Sequence, residues 1–155
     1  MGGVEMQAKD IMSADVKTVS PEATFQEVAT LLHESAISSV VVMDGDRLAG
    51  IVTERDLVNL VADGRDPRTT KVTDRMTTNV DTVGSRTDIA EAAEHMARLR
   101  IRHLPIVDDG RVVGIISIRD LTNWAVQELT GGHELPDLER SHTALSAAAQ
   151  INQEG

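Results

Sequence analysis

The chain contains no cysteine and no tyrosine, and its aromatic side chains are Phe25 and Trp124 alone. Without cysteine there are no disulfides, no thiolate nucleophile and no cysteine-ligated zinc. With two aromatic rings there is no platform on which successive bases of a single strand could stack, and the core must be aliphatic. Positive charge is also short: 15 Lys and Arg stand against 25 Asp and Glu, a formal net charge of −10. A field of that sign repels phosphate backbones and argues against general nucleic-acid binding. The longest strongly apolar stretches, such as residues 40–43, fall far short of the ~20 residues a membrane-spanning helix needs. The start of the chain, Met1-Gly2-Gly3-Val4-Glu5-Met6-Gln7, lacks the basic and apolar regions of a secretory signal. No Gly-x-Ser-x-Gly, His-Glu-x-x-His or Gly-x-x-x-x-Gly-Lys run is present, and His33, His95, His133 and His142 show no metal-ligand spacing. The expectation is a soluble, cytoplasmic, non-enzymatic protein with neither a nucleic-acid nor a membrane partner.

What is present is a repeat. Asp44-Gly45-Asp46-Arg47-Leu48-Ala49-Gly50-Ile51-Val52-Thr53-Glu54-Arg55-Asp56-Leu57 is matched by Asp108-Asp109-Gly110-Arg111-Val112-Val113-Gly114-Ile115-Ile116-Ser117-Ile118-Arg119-Asp120-Leu121, at a constant offset of 64 residues. The same offset relates Asp10 to Asp74, Met12 to Met76, Thr18 to Thr82, Ile37 to Ile101 and Asn59 to Asn123. A fixed period means one supersecondary unit made twice. A unit of about 60 residues is marginal by itself, so the two copies are expected to share a core and to form two equivalent clefts.

Local patterns give each unit an order of β-α-β-β-α. In the first, Val16–Val19 reads as a strand, and Ser20-Pro21-Glu22 opens a helix whose stripe is Phe25, Val28, Ala29 and Leu32. The β-branched run Val40-Val41-Val42, the turn Asp44-Gly45-Asp46 and the strand Leu48–Val52 make a hairpin. Thr53 then starts a helix reaching about Ala62. In the second, Val80–Val83 is the strand, Ile89, Ala92, Ala93 and Met96 the stripe, and Leu104–Val107 with Val112–Ile116 the hairpin. The last helix opens at Ser117, and its Trp124 matches Leu60 as a core or dimer contact. The repeats are placed at residues 8–64 and 72–129, joined by a polar Gly- and Pro-containing linker at 65–71. Residues 130–155 are a polar tail, with room for a loose helix around 144–151.

Both copies carry Gly, apolar, any, Thr or Ser, two residues, Asp: Gly50 to Asp56 and Gly114 to Asp120. With Asp10-Ile11-Met12, its copy Asp74-Arg75-Met76, and Leu104-Pro105-Ile106-Val107, the chain resembles the cystathionine β-synthase (CBS) domain family, and specifically a tandem pair or Bateman module. The resemblance covers residues 8–128, and the expectation is that no enzyme, channel or transporter domain is attached. It implies an α/β (α+β) fold of two β-α-β-β-α repeats packed as an intramolecular pseudo-two-fold pair. It further implies a stand-alone sensor that requires no cofactor, takes an adenosine-containing ligand of the AMP, ADP or ATP class in clefts between the repeats, forms a homodimer, and signals to an effector protein. In the family, Asp56 and Asp120 would hold the ribose hydroxyls, Thr53 and Ser117 would lie by the phosphates, and backbone near Thr18-Val19 and Thr82-Val83 would hold the adenine. The chemistry is consistent. A carboxylate has two acceptor oxygens for a vicinal diol, a hydroxyl at a helix start lies among free N–H groups that favour an anion, and Gly50 and Gly114 let backbone approach closely.

Two readings of these residues stand side by side. Thr53-x-x-Asp56 and Ser117-x-x-Asp120 are also capping boxes, which need no ligand, and in that reading Gly50 and Gly114 serve only tight packing. A non-catalytic interaction dimer with vestigial clefts is therefore the alternative function. Charge separates the two copies. Arg98, Arg100, Arg102 and His103 form a basic cluster, whereas residues 34–39 of the first copy carry no base. Arg102 and His103 are candidate phosphate ligands, with Arg55 and Arg119 in second rank; helix-dipole balance at a C-terminus is the other explanation for the cluster. Pro105 shapes the second cleft, where the first has Val41.

Overall fold

In a computed structural model the described residues are 5–131. They fall in two units divided between Leu121 and Thr122. The first contains α1 (Ala8–Ile11), β1 (Thr18–Val19), α2 (Phe25–Ser35), β2 (Ser39–Asp44), β3 (Arg47–Thr53), α3 (Glu54–Ala62), a 3-10 turn (Val72–Asp74), α4 (Ile89–Leu99), β4 (His103–Asp108) and β5 (Arg111–Ser117). Helix α5 (Ile118–Leu129) begins there and supplies the described part of the second unit. Trp124 on this helix is half-buried. The proposed tail helix at 144–151 lies outside the described residues. No described helix is long and apolar enough to cross a membrane.

The repeat is visible in the sheets. Strands β2 and β3 pair antiparallel with Val42 opposite Gly50 and Met43 opposite Leu48, so the register shifts between them. Strands β4 and β5 do the same, with Ile106 opposite Gly114 and Val107 opposite Val112. Both hairpins close on two-residue turns. Gly45 has φ +61° in the first, and Asp109 and Gly110 have φ +49° and +77° in the second, the left-handed positions that hairpin twist demands. Helix faces follow the stripes: Phe25, Val28 and Leu32 are buried on α2, and Ile89, Ala92 and Met96 on α4. Ala29 and Ala93 are half-buried.

Three expectations are corrected. The first strand is two residues, Thr18–Val19, paired parallel with Val41 and Val42, rather than Val16–Val19. Its copy is a single bridge between Val83 and Ile106, rather than a strand from Val80. Helix α2 begins at Phe25, not at Ser20-Pro21-Glu22, because Thr24 caps it: the Glu27 carboxylate accepts from the Thr24 N–H at 2.6 Å, and the Thr24 hydroxyl accepts from the Glu27 N–H at 3.3 Å. That reciprocal box satisfies two free donors at once, which a proline placed three residues earlier does not. At α4 the Asp88 carboxylate does the capping, accepting from Ala90 N–H at 2.8 Å and Glu91 N–H at 3.4 Å.

The leading segment of each copy packs on the other copy. Residues 70–77 belong to the first core: Phe25 N–H donates to Thr70 O, Val72 N–H to Ala23 O, and Thr77 and Ile51 exchange both backbone bonds. Val72 is fully buried in a cluster with Phe25, Val28, Val40, Val52 and Leu60, and Met76 packs against it. Residues 6–13 do the same for the second copy: Ile89 N–H donates to Met6 O, Ala8 N–H to Thr87 O, and Ser13 and Ile115 exchange both bonds. Ala8 is fully buried. The exchange supplies acceptors to N–H groups that α2 and α4 would otherwise leave open.

Both α2 and α4 end on a non-glycine residue in the left-handed conformation, Ala36 (φ +51°) and Arg100 (φ +55°). Glycine carries no Cβ penalty there. Arg100→Gly is expected to raise stability by about 0.5–1 kcal/mol, read as a rise in the urea midpoint without a change of slope.

Candidate functional site

The register places the motif residues in two equivalent clusters. In the second copy His103 lies opposite Ser117 across β4 and β5. The Asp120 Oδ2 atom accepts from Ser117 N–H at 2.6 Å and from the Ser117 hydroxyl at 2.8 Å, while Asp120 N–H donates to Ser117 Oγ at 3.3 Å. In the first copy Ser39 lies opposite Thr53, and Asp56 Oδ2 accepts from Thr53 N–H at 2.8 Å and from its hydroxyl at 3.3 Å. The boxes are therefore formed. Each binds through one carboxylate oxygen, and no hydrogen bond to the second oxygen is present among the described residues. All four side chains are partly exposed. Capping and a contact through the free oxygen are thus geometrically compatible.

Backbone bonds fix both clusters. Glu54 N–H donates to Ser38 O at 3.1 Å, and at the equivalent place Ile118 N–H donates to Arg102 O at 2.9 Å. The adenine-side residues adjoin the same strands. Thr18 is exposed and Val19 half-buried, beside Val41 and Val42. Thr82 and Val83 are half-buried; Val83 N–H donates to the carbonyl of buried Pro105 at 3.4 Å, and Val107 N–H donates to Val83 O at 2.9 Å. Arg55, Arg102 and Arg119 are exposed.

Gly50 and Gly114 make room for something other than open cleft. A side chain at Gly50 would meet Met76 Sδ at 2.6 Å and Thr77 O at 2.8 Å; at Gly114 it would meet Met12 Sδ and Cγ, with Ser13 O at 3.0 Å. The glycines admit the methionines of the exchanged segments, which explains the Asp-x-Met motif and the glycine together. Tight packing, the other reading of these two glycines, is thus what their surroundings show.

Two hollows lie elsewhere, at loops related by the repeat. One, of about 350 Å³, is lined by Val19, Ser20, Glu22, Ala23 and Glu27. The other, of about 650 Å³, is lined by Gly84, Ser85, Arg86, Thr87 and the hairpin residues Val107, Asp108 and Asp109. Of the predicted site residues only Val19 lines either one. These loops had no motif to mark them. In the second, Asp108 accepts from Ser85 N–H at 2.9 Å, and the Ser85 bonds, then Arg86, hold its carboxyl below the usual range. The second hollow gathers polar side chains of its own, Ser85, Arg86, Thr87, Asp108 and Asp109, whereas at each cluster a carboxylate and a hydroxyl meet at a helix start.

The sequence reading missed one contact altogether. Ser38 Oγ and His103 Nε2 lie 2.6 Å apart, joining the two copies beside the second cluster. Burial pushes the His103 imidazole below the usual histidine range, Arg102 adds to the shift, and Asp120 opposes it. No group of three or more potential metal ligands occurs among the described residues.

Two repeated α/β copies with exchanged leading segments, and a hydroxyl–carboxylate pair opening the last helix of each, define a tandem domain pair of the Bateman class. The CBS-domain family model matches residues 8–63 and again 72–126, and the chain belongs to that family. It is similar to the CBS domain-containing protein YhcV of Bacillus subtilis, 33% identical over 135 residues, covering 86% of this chain and 96% of that one. Among solved structures, the CBS-domain containing protein ATU1752 from Agrobacterium tumefaciens is 35% identical with a TM-score of 0.72, over 77% of this chain and 99% of that one. The CBS domain pair of protein MJ0100, in complex with 5′-methylthioadenosine and S-adenosyl-L-methionine, is 27% identical with a TM-score of 0.74, over 79% and 98%.

Proposed function

We propose that the chain is a regulatory module that binds an adenosine-containing ligand, of the AMP, ADP or ATP class, at the Thr53–Asp56 and Ser117–Asp120 clusters. The observation that carries this is the pair of carboxylates, each held at a helix start with one oxygen unengaged. That oxygen faces the task of accepting from a ribose diol, while helix-start amides and Arg55, Arg102 or Arg119 favour a charged tail. The similar domain pair crystallised with methylthioadenosine and S-adenosylmethionine supports the adenosine class. Signalling is by linkage. A ligand between the copies shifts their arrangement, or that of a cytoplasmic homodimer, by the difference in its affinity for the two states, and an effector protein reads the change. The chain performs no catalysis in this scheme.

Thermal melts with AMP, ADP, ATP, S-adenosylmethionine and NAD test the reading. A ligand at ~100 times its dissociation constant is expected to add about 2.7 kcal/mol. No shift with any of them favours the second reading, an interaction dimer with vestigial clefts, which the completed capping boxes support. Native mass spectrometry of freshly purified protein is expected to report a dimer and any retained nucleotide together.

A further inference from the structure

The Ser38–His103 contact breaks the symmetry of the two clusters. By the 64-residue offset His103 corresponds to Ser39, and Ser38 to Arg102. Both clusters therefore place a residue opposite the motif hydroxyl, but only the second makes it titratable: Ser39 faces Thr53, and His103 faces Ser117. We infer that His103, held by Ser38, makes the second cleft a proton-dependent selector that favours phosphorylated over unphosphorylated adenosine ligands as pH falls. This rests on the ligand-binding reading above and adds to it a rule of ligand choice.

The geometry gives the reason. The ring is half-buried, with Nε2 on Ser38 Oγ at 2.6 Å. The charged groups acting on it are Arg102, just before its strand, and Asp120 from α5; the neighbours on β5 and before β2, Ser117 and Ser38, are uncharged. Burial and Arg102 keep the free imidazole neutral near pH 7, against the pull of Asp120. A phosphate brought beside Arg102 cancels that cation's repulsion and adds an anion, so the charged imidazolium becomes the stable form. Up to one proton moves from solvent to His103 as the ligand binds. Ser38 accommodates both states, because its hydroxyl donates to a neutral ring nitrogen and accepts from a protonated one. The bond between the copies thus survives while its direction reverses. A ligand ending in an uncharged tail gives no such uptake.

Titration calorimetry of the full chain with AMP and with adenosine, at pH 7 in two buffers of different ionisation heat, reads this directly. The expected result is buffer-dependent heat for AMP, corresponding to uptake of up to one proton, and buffer-independent heat for adenosine. AMP affinity is expected to rise by up to about tenfold per pH unit on acidification across the range of uptake, with adenosine affinity flat. His103→Gln is expected to remove the part of the linkage that phosphate ionisation does not explain, while keeping AMP binding. If that variant folds poorly, the sign in wild type decides: a phosphate (second pKa about 6) bound as its dianion releases protons, whereas His103 takes one up, so net release with AMP overturns the inference. Binding of both ligands with the same proton exchange overturns the inference and leaves the ligand-binding reading intact. Absence of heat with every adenosine compound overturns both.

Discussion

Replacing Gly50 with alanine is expected to destabilise the protein by about 2–3 kcal/mol, and more than the same change at Gly114. The difference lies in what each new methyl meets. At Gly50 it comes within 2.8 Å of the Thr77 carbonyl, a backbone atom locked by reciprocal bonds to Ile51. At Gly114 the closest atoms are the Met12 thioether, a flexible side chain, and the Ser13 carbonyl is farther at 3.0 Å. Met12→Ala should therefore rescue much of Gly114→Ala, whereas Met76→Ala should rescue Gly50→Ala only in part. Urea unfolding of the four single variants and two doubles measures this as coupling energies. Equal costs at the two glycines, or full rescue of Gly50→Ala, would contradict the exchanged-segment account.

The other large effect is on ligand response. Asp120→Ala and Asp56→Ala each remove an acid that serves a cap and, in the proposed function, a ribose. The cap contributes about 1 kcal/mol, so each variant is expected to stay folded with a modestly lower melting temperature. The ligand-dependent gain of about 2.7 kcal/mol at ~100 times the dissociation constant is expected to vanish at the affected cleft. A variant that melts lower yet gains as much from ligand as wild type assigns that aspartate to capping alone. Because His103 stands only in the second cluster, Asp120→Ala is expected to abolish the difference between AMP and adenosine, and Asp56→Ala to leave it.

The parts of the fold legible in the sequence are those written in short stretches. Thr53-x-x-Asp56 and Ser117-x-x-Asp120 are boxes over four residues, and the structure forms both. The hairpins follow from β-branched runs around left-handed turns. The start of α2 was also legible, in Thr24-x-x-Glu27, but Pro21 is the louder signal and a stripe cannot say where its helix begins. Register differs in kind. Nothing local marks Gln7 as bridging Asp88, or Ser38 as reaching His103 across 65 positions. The repeat says that two copies pack together, but not that each lends its first residues to its twin. For the same reason the packing partners of Gly50 and Gly114 were not legible. Their motif is contiguous with Thr53 and Ser117, whereas the methionines that explain them stand 26 residues ahead of Gly50 and about a hundred before Gly114.

The trade of leading segments bears on how such a chain can be divided. A fragment cut at the apparent boundary, residues 65–131, carries Val72 and Met76 away from the core they fill and leaves Ile89 without the Met6 carbonyl. Each excised half owns a plug for a socket it lacks and a socket for a plug it lacks. Two such fragments could satisfy one another reciprocally, so a half-length ancestor with this architecture would have been self-complementary from the outset. Joining two genes end to end would then have turned an association that depends on concentration into one that does not.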